Sequence, residues 1–255
     1  MPNQNPIMNI LVCISHVPDT TAKINFTGDG KALDPNGVQF VINPYDEFGL
    51  TKALHLKEAH GGTITVINVG LAATEPTLRK ALAIGGDKAV RINANPEDAI
   101  TVAKELKNHI EANSYDLIIC GQESIDYNGQ QVPAMIAAML KLPFANACVG
   151  FTFNNDTAHA TCEIDGGHAT FQAKLPMIIG GKKGLVEEKD LRIPNMRGIM
   201  SARTKPLELV EPSVNDGATK ALHFEKPAPK AAVKMIDAGN VDELVRLLHE
   251  EAKAI

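Results

Sequence analysis

The residues with the clearest chemical potential form one polar loop directly before a helix-like segment. Gly121–Val132 reads GQESIDYNGQQV and follows a short apolar run. A helix N-terminus offers free backbone N–H groups and the positive end of the helix dipole, and both favour a phosphate. The pattern therefore indicates nucleotide binding, although an ordinary connection between a strand and a well-capped helix would have a similar composition.

Three further polar segments follow apolar runs or begin a helix. Cys13–Asp19 and Asn68–Leu71 each come after a strand-like run, and Asn43–Asp46 precedes a helical pattern with Asn43 as a candidate cap. Parallel α/β sheets bind their ligands beyond the carboxyl ends of the strands. We therefore expect these segments and Gly121–Val132 to share the ligand-binding edge of one sheet.

Other candidate chemistry in the chain is weaker. The sequence has no Walker A motif, and glycine-rich Gly180–Gly184 leads into a basic loop instead of a helix. The eight histidines are not spaced as metal ligands, so we expect no metal site. Glu163 and Asp165 would share one strand face as a possible acid–base pair, although a solvated strand edge is the simpler interpretation. Without a catalytic constellation, a binding or carrier protein is favoured over a self-sufficient enzyme.

The elements that position these segments alternate between strands and helices through the first two thirds of the chain. Strands are expected at 10–14, 63–69, 90–92 and 116–120. Helices are expected after Asn43-Pro44, after Thr74, after Asn95-Pro96 and after Asn128, the last with Met135, Ala138 and Met139 on its core face. This alternation predicts an α/β fold, a mostly parallel sheet with helices on both faces.

The pattern changes after Ala147. Three strands with turns at Asn154-Asn155 and Gly166-Gly167 predict a small antiparallel extension. Residues 182–205 contain many Lys and Arg and little periodicity, so we expect an exposed loop, and 211–234 is typical of an extended linker. Asn240 and Glu243 then form a capping box before a final amphipathic helix. Its apolar stripe could fold back on the domain or reach a partner, and periodicity does not choose between these.

Bulk composition limits the classes of function. The chain has 255 residues, 44% of them hydrophobic, and a net charge of −5, which argues against broad binding to nucleic acid. No apolar run approaches the roughly 20 residues that span a bilayer. The start MPNQNPIMNI lacks a secretory signal and the Arg-rich character of a mitochondrial presequence, so we expect a bacterial-type cytoplasm. The four cysteines form no CxxC motif and are expected to be buried thiols.

Taken in order, these segments resemble the electron transfer flavoprotein beta subunit over about Asn9–Pro212. The motifs that carry the resemblance are VPDT (Val17–Thr20), NPYDEFGL (Asn43–Leu50), LRKALAIGGDKA (Leu78–Ala89), GQESIDYNGQQV (Gly121–Val132), EIDGG (Glu163–Gly167), KLP (Lys174–Pro176) and IMSARTKP (Ile199–Pro206). The resemblance implies a flavodoxin-like, adenine-nucleotide-binding α/β domain over 1–210. It also implies a linker and a C-terminal helical arm over 211–255 that contacts an alpha subunit.

The resemblance further implies a heterodimer in which the alpha subunit holds most of the FAD and this chain binds AMP. The AMP site that it implies comprises Cys13, Asn43, Pro44, Tyr45, Asp46, Val69, Gly121, Gln122, Glu123, Ser124, Ile125, Asp126, Tyr127, Asn128, Gly129, Gln130, Gln131 and Val132. Backbone N–H groups of Gly129–Val132 would contact the phosphate. This expectation coincides with the argument from the helix terminus above.

A recognition loop at about 190–200 is the family's means of docking onto dehydrogenases such as acyl-CoA dehydrogenase, before electrons pass to a quinone-linked oxidoreductase in fatty acid oxidation. Its implied contacts are Ile193, Pro194, Asn195, Met196 and Arg197, with Met196 as the apolar anchor. Arg192, Arg197, Arg203 and Lys205 are expected to attract acidic partners.

Two alternatives stay open. VPDT and Gln131-Val132 also occur in the bifurcating branch of the family, whose beta subunit binds a second FAD in place of AMP and takes part in oxidising NADH. Thr20 replaces an aromatic residue near the flavin in the mitochondrial branch. A stand-alone adenine-nucleotide-binding or nucleotide-hydrolysing protein is the other alternative, which a stable monomer without a flavoprotein partner would favour.

Overall fold

A nine-stranded sheet forms the centre of the structure, a computed structural model that describes residues 7–214, 217–230 and 232–255. The strands of the described residues are β1 (Met8–Cys13), β2 (His16–Pro18), β3 (Phe40–Ile42), β4 (Gly62–Val69), β5 (Lys88–Ile92), β6 (Leu117–Gly121), β7 (Phe144–Asn154), β8 (Thr157–Ile164), β9 (Gly167–Lys174), β10 (Met177–Gly181) and β11 (Leu207–Val210). The α-helices are α1 (Pro44–His60), α2 (Glu75–Ile84), α3 (Ala99–Glu111), α4 (Val132–Leu140), α5 (Met196–Ala202) and α6 (Val241–Glu250).

The strand order is β11-β5-β4-β1-β6-β10-β7-β8-β9, and every pair from β11 to β7 is parallel. Antiparallel β8 and β9 extend this sheet beyond β7, while β2 and β3 pair separately. The predicted α/β class and the antiparallel extension are thus confirmed. From β1 the chain builds outward through β4 and β5, and it then places β6 on the other side of β1. This reversal leaves a crevice at the carboxyl ends of β1 and β6.

Helices cover both faces of the parallel strands because successive strand residues point to opposite sides. Ile10 and Val12 pack on the face of α1 and α2, whereas Leu11 and Cys13 pack on the face of α3 and α4. Burying one such aliphatic side chain contributes about 1.5–3 kcal/mol, so the two layers hold the strand ends firmly in place.

α3 begins later than the sequence pattern predicts. The prediction places its start after Asn95-Pro96, but the helix runs from Ala99. Asp98 is the cap, because its Oδ1 accepts a hydrogen bond from the Thr101 N–H at 2.8 Å. Asparagine and aspartate cap helices about equally well, so local sequence could not rank the two positions.

The buried face of α4 also differs from the prediction. Pro133, Ile136 and Ala137 are buried, whereas Met135 and Met139 are only partly buried and Ala138 is exposed. The helix reads VPAMIAAML, so it is apolar on all sides and periodicity does not identify its inner face. Contact with α3, β7 and β10 selects that face.

The segment predicted as an extended linker is fastened to the domain along its first half, and we call residues 211–214 and 217–226 the strap. The buried Glu105 carboxylate accepts hydrogen bonds from the Ser213 N–H at 2.8 Å and from the Ser213 hydroxyl at 2.7 Å. Further along, the Phe224 N–H donates to Gly30 O at 2.7 Å. The strap is therefore extended, as predicted, but it follows a defined path.

Glu105→Gln is expected to loosen the strap without unfolding the domain. The neutral carboxamide can still accept the Ser213 and Val214 N–H groups, but bonds to a charged acceptor are worth about 1.5–3 kcal/mol and bonds to a neutral one only about 0.5–1.5 kcal/mol. Hydrogen exchange of the Ser213 and Val214 amides should therefore accelerate by roughly tenfold. Glu111→Gln makes the same change at a more exposed position of the same helix and is the matched control. Unaltered exchange in Glu105→Gln would contradict the role given to this carboxylate.

The C-terminal helix α6 is present where the capping pattern predicts it, since Asn240 Oδ1 accepts a hydrogen bond from the Glu243 N–H. Its apolar stripe stays largely uncovered, because Val241, Leu244 and Val245 are all exposed. Residues 215, 216 and 231 of the predicted 211–255 segment lie outside the described residues. Within the described residues, no helix is both long and apolar enough to cross a membrane.

Candidate functional site

One buried carboxylate joins the two strand ends that border the crevice. Asp46, on the first turn of α1, accepts a hydrogen bond from the Ser15 N–H at 2.7 Å through Oδ2. Its Oδ1 accepts a bond from the Gly121 N–H at 2.9 Å. Asp46 is only 2% exposed, and burial raises its pKa to about 7, although the amide donors oppose this shift. One side chain thus links the two strand ends that border the crevice. We call Asp46 with these two hydrogen bonds the brace.

Asn43 holds the polar loop against this brace. The residue is completely buried; its Nδ2 donates to Glu123 O at 2.8 Å, and its Oδ1 accepts from the Ile125 N–H at 3.3 Å. Asn43 occupies the cap position of α1, as predicted, but its side chain makes no capping hydrogen bond. The Asp46 N–H donates instead to the backbone oxygen of Asn43 at 2.9 Å, so the side-chain amide group of Asn43 remains available to fix the loop.

Gly121 occupies a position where only hydrogen fits. A Cβ there would overlap Asp46 Oδ1 and would come within 2.9 Å of both Asn43 Nδ2 and Tyr45 Cβ. The next residue, Gln122, donates its N–H to Gly181 O at 2.7 Å, so the loop departs from the sheet in a fixed direction.

The loop turns tightly through Ser124–Gln130. The Ser124 hydroxyl donates to Asp126, and the Asn128 N–H donates to Ser124 O at 2.8 Å. Asn128 and Gln130 adopt left-handed conformations with φ of 51° and 53°. Such conformations are uncommon outside glycine and turn successive N–H groups toward one side, as in anion-binding nests. Tyr127 is exposed at the tip.

Four consecutive amides at the end of the loop are uncommitted. Among the described residues, the N–H groups of Gly129, Gln130, Gln131 and Val132 have no hydrogen-bond acceptor in the chain. α4 starts at Val132, so its positive dipole end points to the same place. The chemistry of these donors fits a phosphate.

The remaining predicted residues lie on neighbouring strand ends. Cys13 ends β1 and Val69 ends β4, and both are buried. The adjacent Cys13 and burial raise the pKa of the Cys120 thiol, so it is a packing group rather than a nucleophile. Gln122 Oε1 is buried and has no donor within the described residues, so a ligand hydroxyl or amino group would complete its hydrogen bonding.

Arg91 is a supporting residue that the sequence analysis missed. It lies buried in β5, and its Nη1 donates to Gly70 O at 3.0 Å, next to Val69. The available signal was an arginine inside the apolar strand KAVRI. A buried guanidinium group is rare unless it is hydrogen-bonded, and here its bond to Gly70 O holds the turn after β4.

The predicted docking residues lie on a separate part of the surface. Ile193 is 79% exposed and Met196 is 75% exposed. Residues 196–202 form helix α5 and not the predicted loop, because Asn195 Oδ1 caps the helix by accepting the Gly198 N–H at 2.8 Å. Met196 is therefore presented on the first turn of a helix, with exposed Arg197 beside it.

Two of the four basic side chains expected to attract partners are engaged within the chain. Arg192 forms an ion pair with Glu58 at 2.9 Å. Lys205 Nζ donates to Leu82 O at 2.8 Å and to Gly86 O at 2.7 Å, at the C-terminal end of α2. These bonds satisfy the last carbonyl groups of that helix, where a cation is favourable. Arg197 and Arg203 form no ion pair among the described residues.

The other candidate chemistry does not come together. Glu163 forms an ion pair with Lys182 at 2.9 Å, which lowers the pKa of this carboxyl group. The described residues contain no cluster of His, Cys, Asp and Glu that could hold a metal ion. All four cysteines are buried and unbridged, as predicted.

The comparisons with known proteins agree on one family. The family model described as "Electron transfer flavoprotein domain" matches residues 31–215. A Bacillus subtilis protein named "Electron transfer flavoprotein subunit beta" is 35% identical over 97% of this chain and 100% of its own length. Proteins of the same name from Syntrophomonas wolfei and Dictyostelium discoideum are 32% and 31% identical, over 92% and 94% of this chain and 92% and 97% of theirs.

Proposed function

Because this chain belongs to the electron transfer flavoprotein family as one of its beta subunits, we propose that it works as one half of a heterodimer with an alpha subunit. The alpha subunit holds most of the FAD. This chain contributes one wall of the FAD site, binds AMP at the crevice between β1 and β6, and docks onto dehydrogenases. The heterodimer then passes electrons to a quinone-linked oxidoreductase.

The row of uncommitted amides at Gly129–Val132 carries the nucleotide assignment. Four N–H groups at a helix N-terminus can all donate hydrogen bonds to a phosphate, and Asp46 and Asn43 fix the loop that presents them. Gln122 Oε1 supplies a buried acceptor for a ribose or base group. Val132 has no hydroxyl, so its contact with the phosphate is through the backbone alone.

The chain itself makes and breaks no covalent bonds in this proposal. FAD, when bound, supplies the redox chemistry. The residues of this chain position the bound groups and the partner. The brace fixes the nucleotide loop, and α5 presents the docking side chains to the dehydrogenase. Such a carrier fits a bacterial cytoplasm and a role in fatty acid oxidation with acyl-CoA dehydrogenases as donors.

The identity and amount of nucleotide in the purified complex test the proposal. Co-expression with the alpha subunit should yield a heterodimer with one FAD and one AMP. Two FAD per heterodimer would contradict the carrier hypothesis and support the bifurcating alternative, in which this chain binds the second flavin. A stable monomer that never associates with a flavoprotein subunit would overturn both.

Met196→Ala is expected to weaken docking without affecting the cofactors. An exposed apolar anchor that inserts into a partner pocket typically contributes about 2 kcal/mol, which corresponds to roughly a 30-fold higher apparent KM for the heterodimer in dehydrogenase-driven flavin reduction. AMP and FAD contents should stay at wild-type values.

Phe171→Ala is the control for Met196→Ala, because Phe171 is an exposed apolar side chain on β9. It should leave the apparent KM unchanged. Equal kinetics for wild type and Met196→Ala would remove Met196 as the anchor.

A further inference from the structure

A second apolar feature adjoins the docking residues. It is a groove of about 560 Å³ between α2 and α5, which we call the α2–α5 groove. Its apolar lining comes from Ala83, Pro194, Ile199 and Ala202. Pro194 directly follows the exposed Ile193, so the groove is continuous with the docking surface. A space of this size can receive one or two side chains of another molecule.

The groove is cationic as well as apolar. Arg79, Lys80 and Arg203 complete its lining. Glu75 and Glu47 compensate the first two, at 3.4 Å and 2.9 Å. Arg203 is exposed and forms no ion pair among the described residues, so the groove keeps a net positive charge.

The walls of the groove are held rigidly. Arg79 Nη1 donates to Ala202 O and to Lys205 O, both at 2.9 Å, and thereby ties α2 to the end of α5. Gly198 lies so close to α2 that a Cβ there would overlap Ala83 O. Because the groove is already formed in the free chain, binding of a partner there costs little conformational entropy.

We infer that the α2–α5 groove receives a segment of the dehydrogenase in which an apolar side chain is flanked by carboxylates. This inference rests on the proposed docking function and adds the chemistry of the partner segment. The apolar lining beside an uncompensated arginine matches such a segment, and the groove continues the surface that carries Met196. The alpha subunit and the acidic arm of this chain are the other possible occupants, and the tests below distinguish them.

Reversing the free charge tests the electrostatic half of the inference. In the heterodimer, Arg203→Glu should raise the apparent KM for dehydrogenase-driven flavin reduction about tenfold at low salt and weaken its dependence on ionic strength. Lys104→Glu makes the same change of charge on α3, on the opposite face of the sheet, and should retain the wild-type KM and salt dependence. The same KM in Arg203→Glu as in wild type overturns the inference.

Ile199→Ala tests the apolar half. It shortens a partly exposed side chain that lines the groove, and we expect a three- to tenfold higher apparent KM. Ile164→Ala on β8 is the control of similar exposure. Loss of the alpha subunit from either groove variant would assign the groove to the heterodimer interface. Restoration of the wild-type KM on adding Asp242→Lys, on the exposed face of α6, to Arg203→Glu would assign the groove to the arm. Either result overturns the inference.

These outcomes separate the inference from the function on which it rests. If no dehydrogenase reduces the flavin of the wild-type heterodimer, the proposed function fails. If wild type is reduced and both groove variants behave like their controls, only the groove assignment fails.

Discussion

Gly121→Ala is expected to remove AMP from the purified heterodimer and to destabilise this subunit by about 2–4 kcal/mol. The added methyl group would overlap the buried Asp46 carboxylate and crowd Asn43 and Tyr45. Relief of this overlap requires the amide of residue 121 to leave Asp46, and the loop then loses the brace that orients Gly129–Val132. Nucleotide released on denaturation and the urea midpoint measure the two effects.

Gly28→Ala is the matched control for this substitution. A Cβ at Gly28 meets nothing within 4 Å, so the same change in composition adds no contact. The Gly28→Ala variant should have the same nucleotide content and the same urea midpoint as wild type. Wild-type AMP content in Gly121→Ala would show that the brace does not position the nucleotide loop.

Asp46→Asn is expected to lower AMP affinity by roughly tenfold and to change how stability depends on pH. The carboxamide can accept a hydrogen bond from the Ser15 or the Gly121 amide through one oxygen only, at a cost of about 1–3 kcal/mol. Equilibrium dialysis of AMP against nucleotide-free heterodimer measures the first effect.

The pH effect follows from the raised pKa of Asp46. An unfolded aspartyl group titrates near 4, whereas in the folded protein this pKa is about 7, so the native state binds the extra proton between these values. The contribution of Asp46 to the free energy of unfolding is therefore complete below about pH 4. It falls as the pH rises toward 7, by on the order of 4 kcal/mol.

Asp46→Asn removes this titration, so its free energy of unfolding should fall less than that of wild type between pH 5 and pH 8. Urea denaturation at the two values measures the difference. Asp116→Asn provides the comparison, because that carboxylate also accepts a backbone amide, from Asn9, in an exposed setting. Parallel pH profiles for wild type and Asp46→Asn would contradict the buried, proton-binding state of this carboxyl group.

The two proposed functional surfaces make different demands on the fold. The nucleotide loop needs buried polar side chains that reach across the sheet, and Asp46 and Asn43 provide them. The docking surface needs exposed apolar groups held on a rigid support. Arg79 and Lys205 provide that support by joining α2 to the chain around α5. The motifs at Leu78–Ala89 and Ile199–Pro206 are therefore two halves of one structural unit.

The sequence by itself determined the parallel α/β class, the antiparallel extension and the capped C-terminal helix. Each of these depends on local signals: apolar runs of strand length, glycine stops and a capping residue three positions before its partner. The polar loop before α4 was also evident, because strand, loop and helix start follow one another in the chain. The family resemblance then added the residues of the proposed nucleotide site.

Only the tertiary structure decided which groups complete that site and which merely support the fold. Asp46 contacts a glycine 75 residues away and Asn43 contacts a loop 80 residues away, and no local pattern encodes such pairs. The inner face of the uniformly apolar α4, the path of the strap and the internal use of Lys205 likewise depend on neighbours brought by the fold. The physical reason is that hydrogen bonds and packing depend on distance in space, whereas sequence patterns report only distance along the chain.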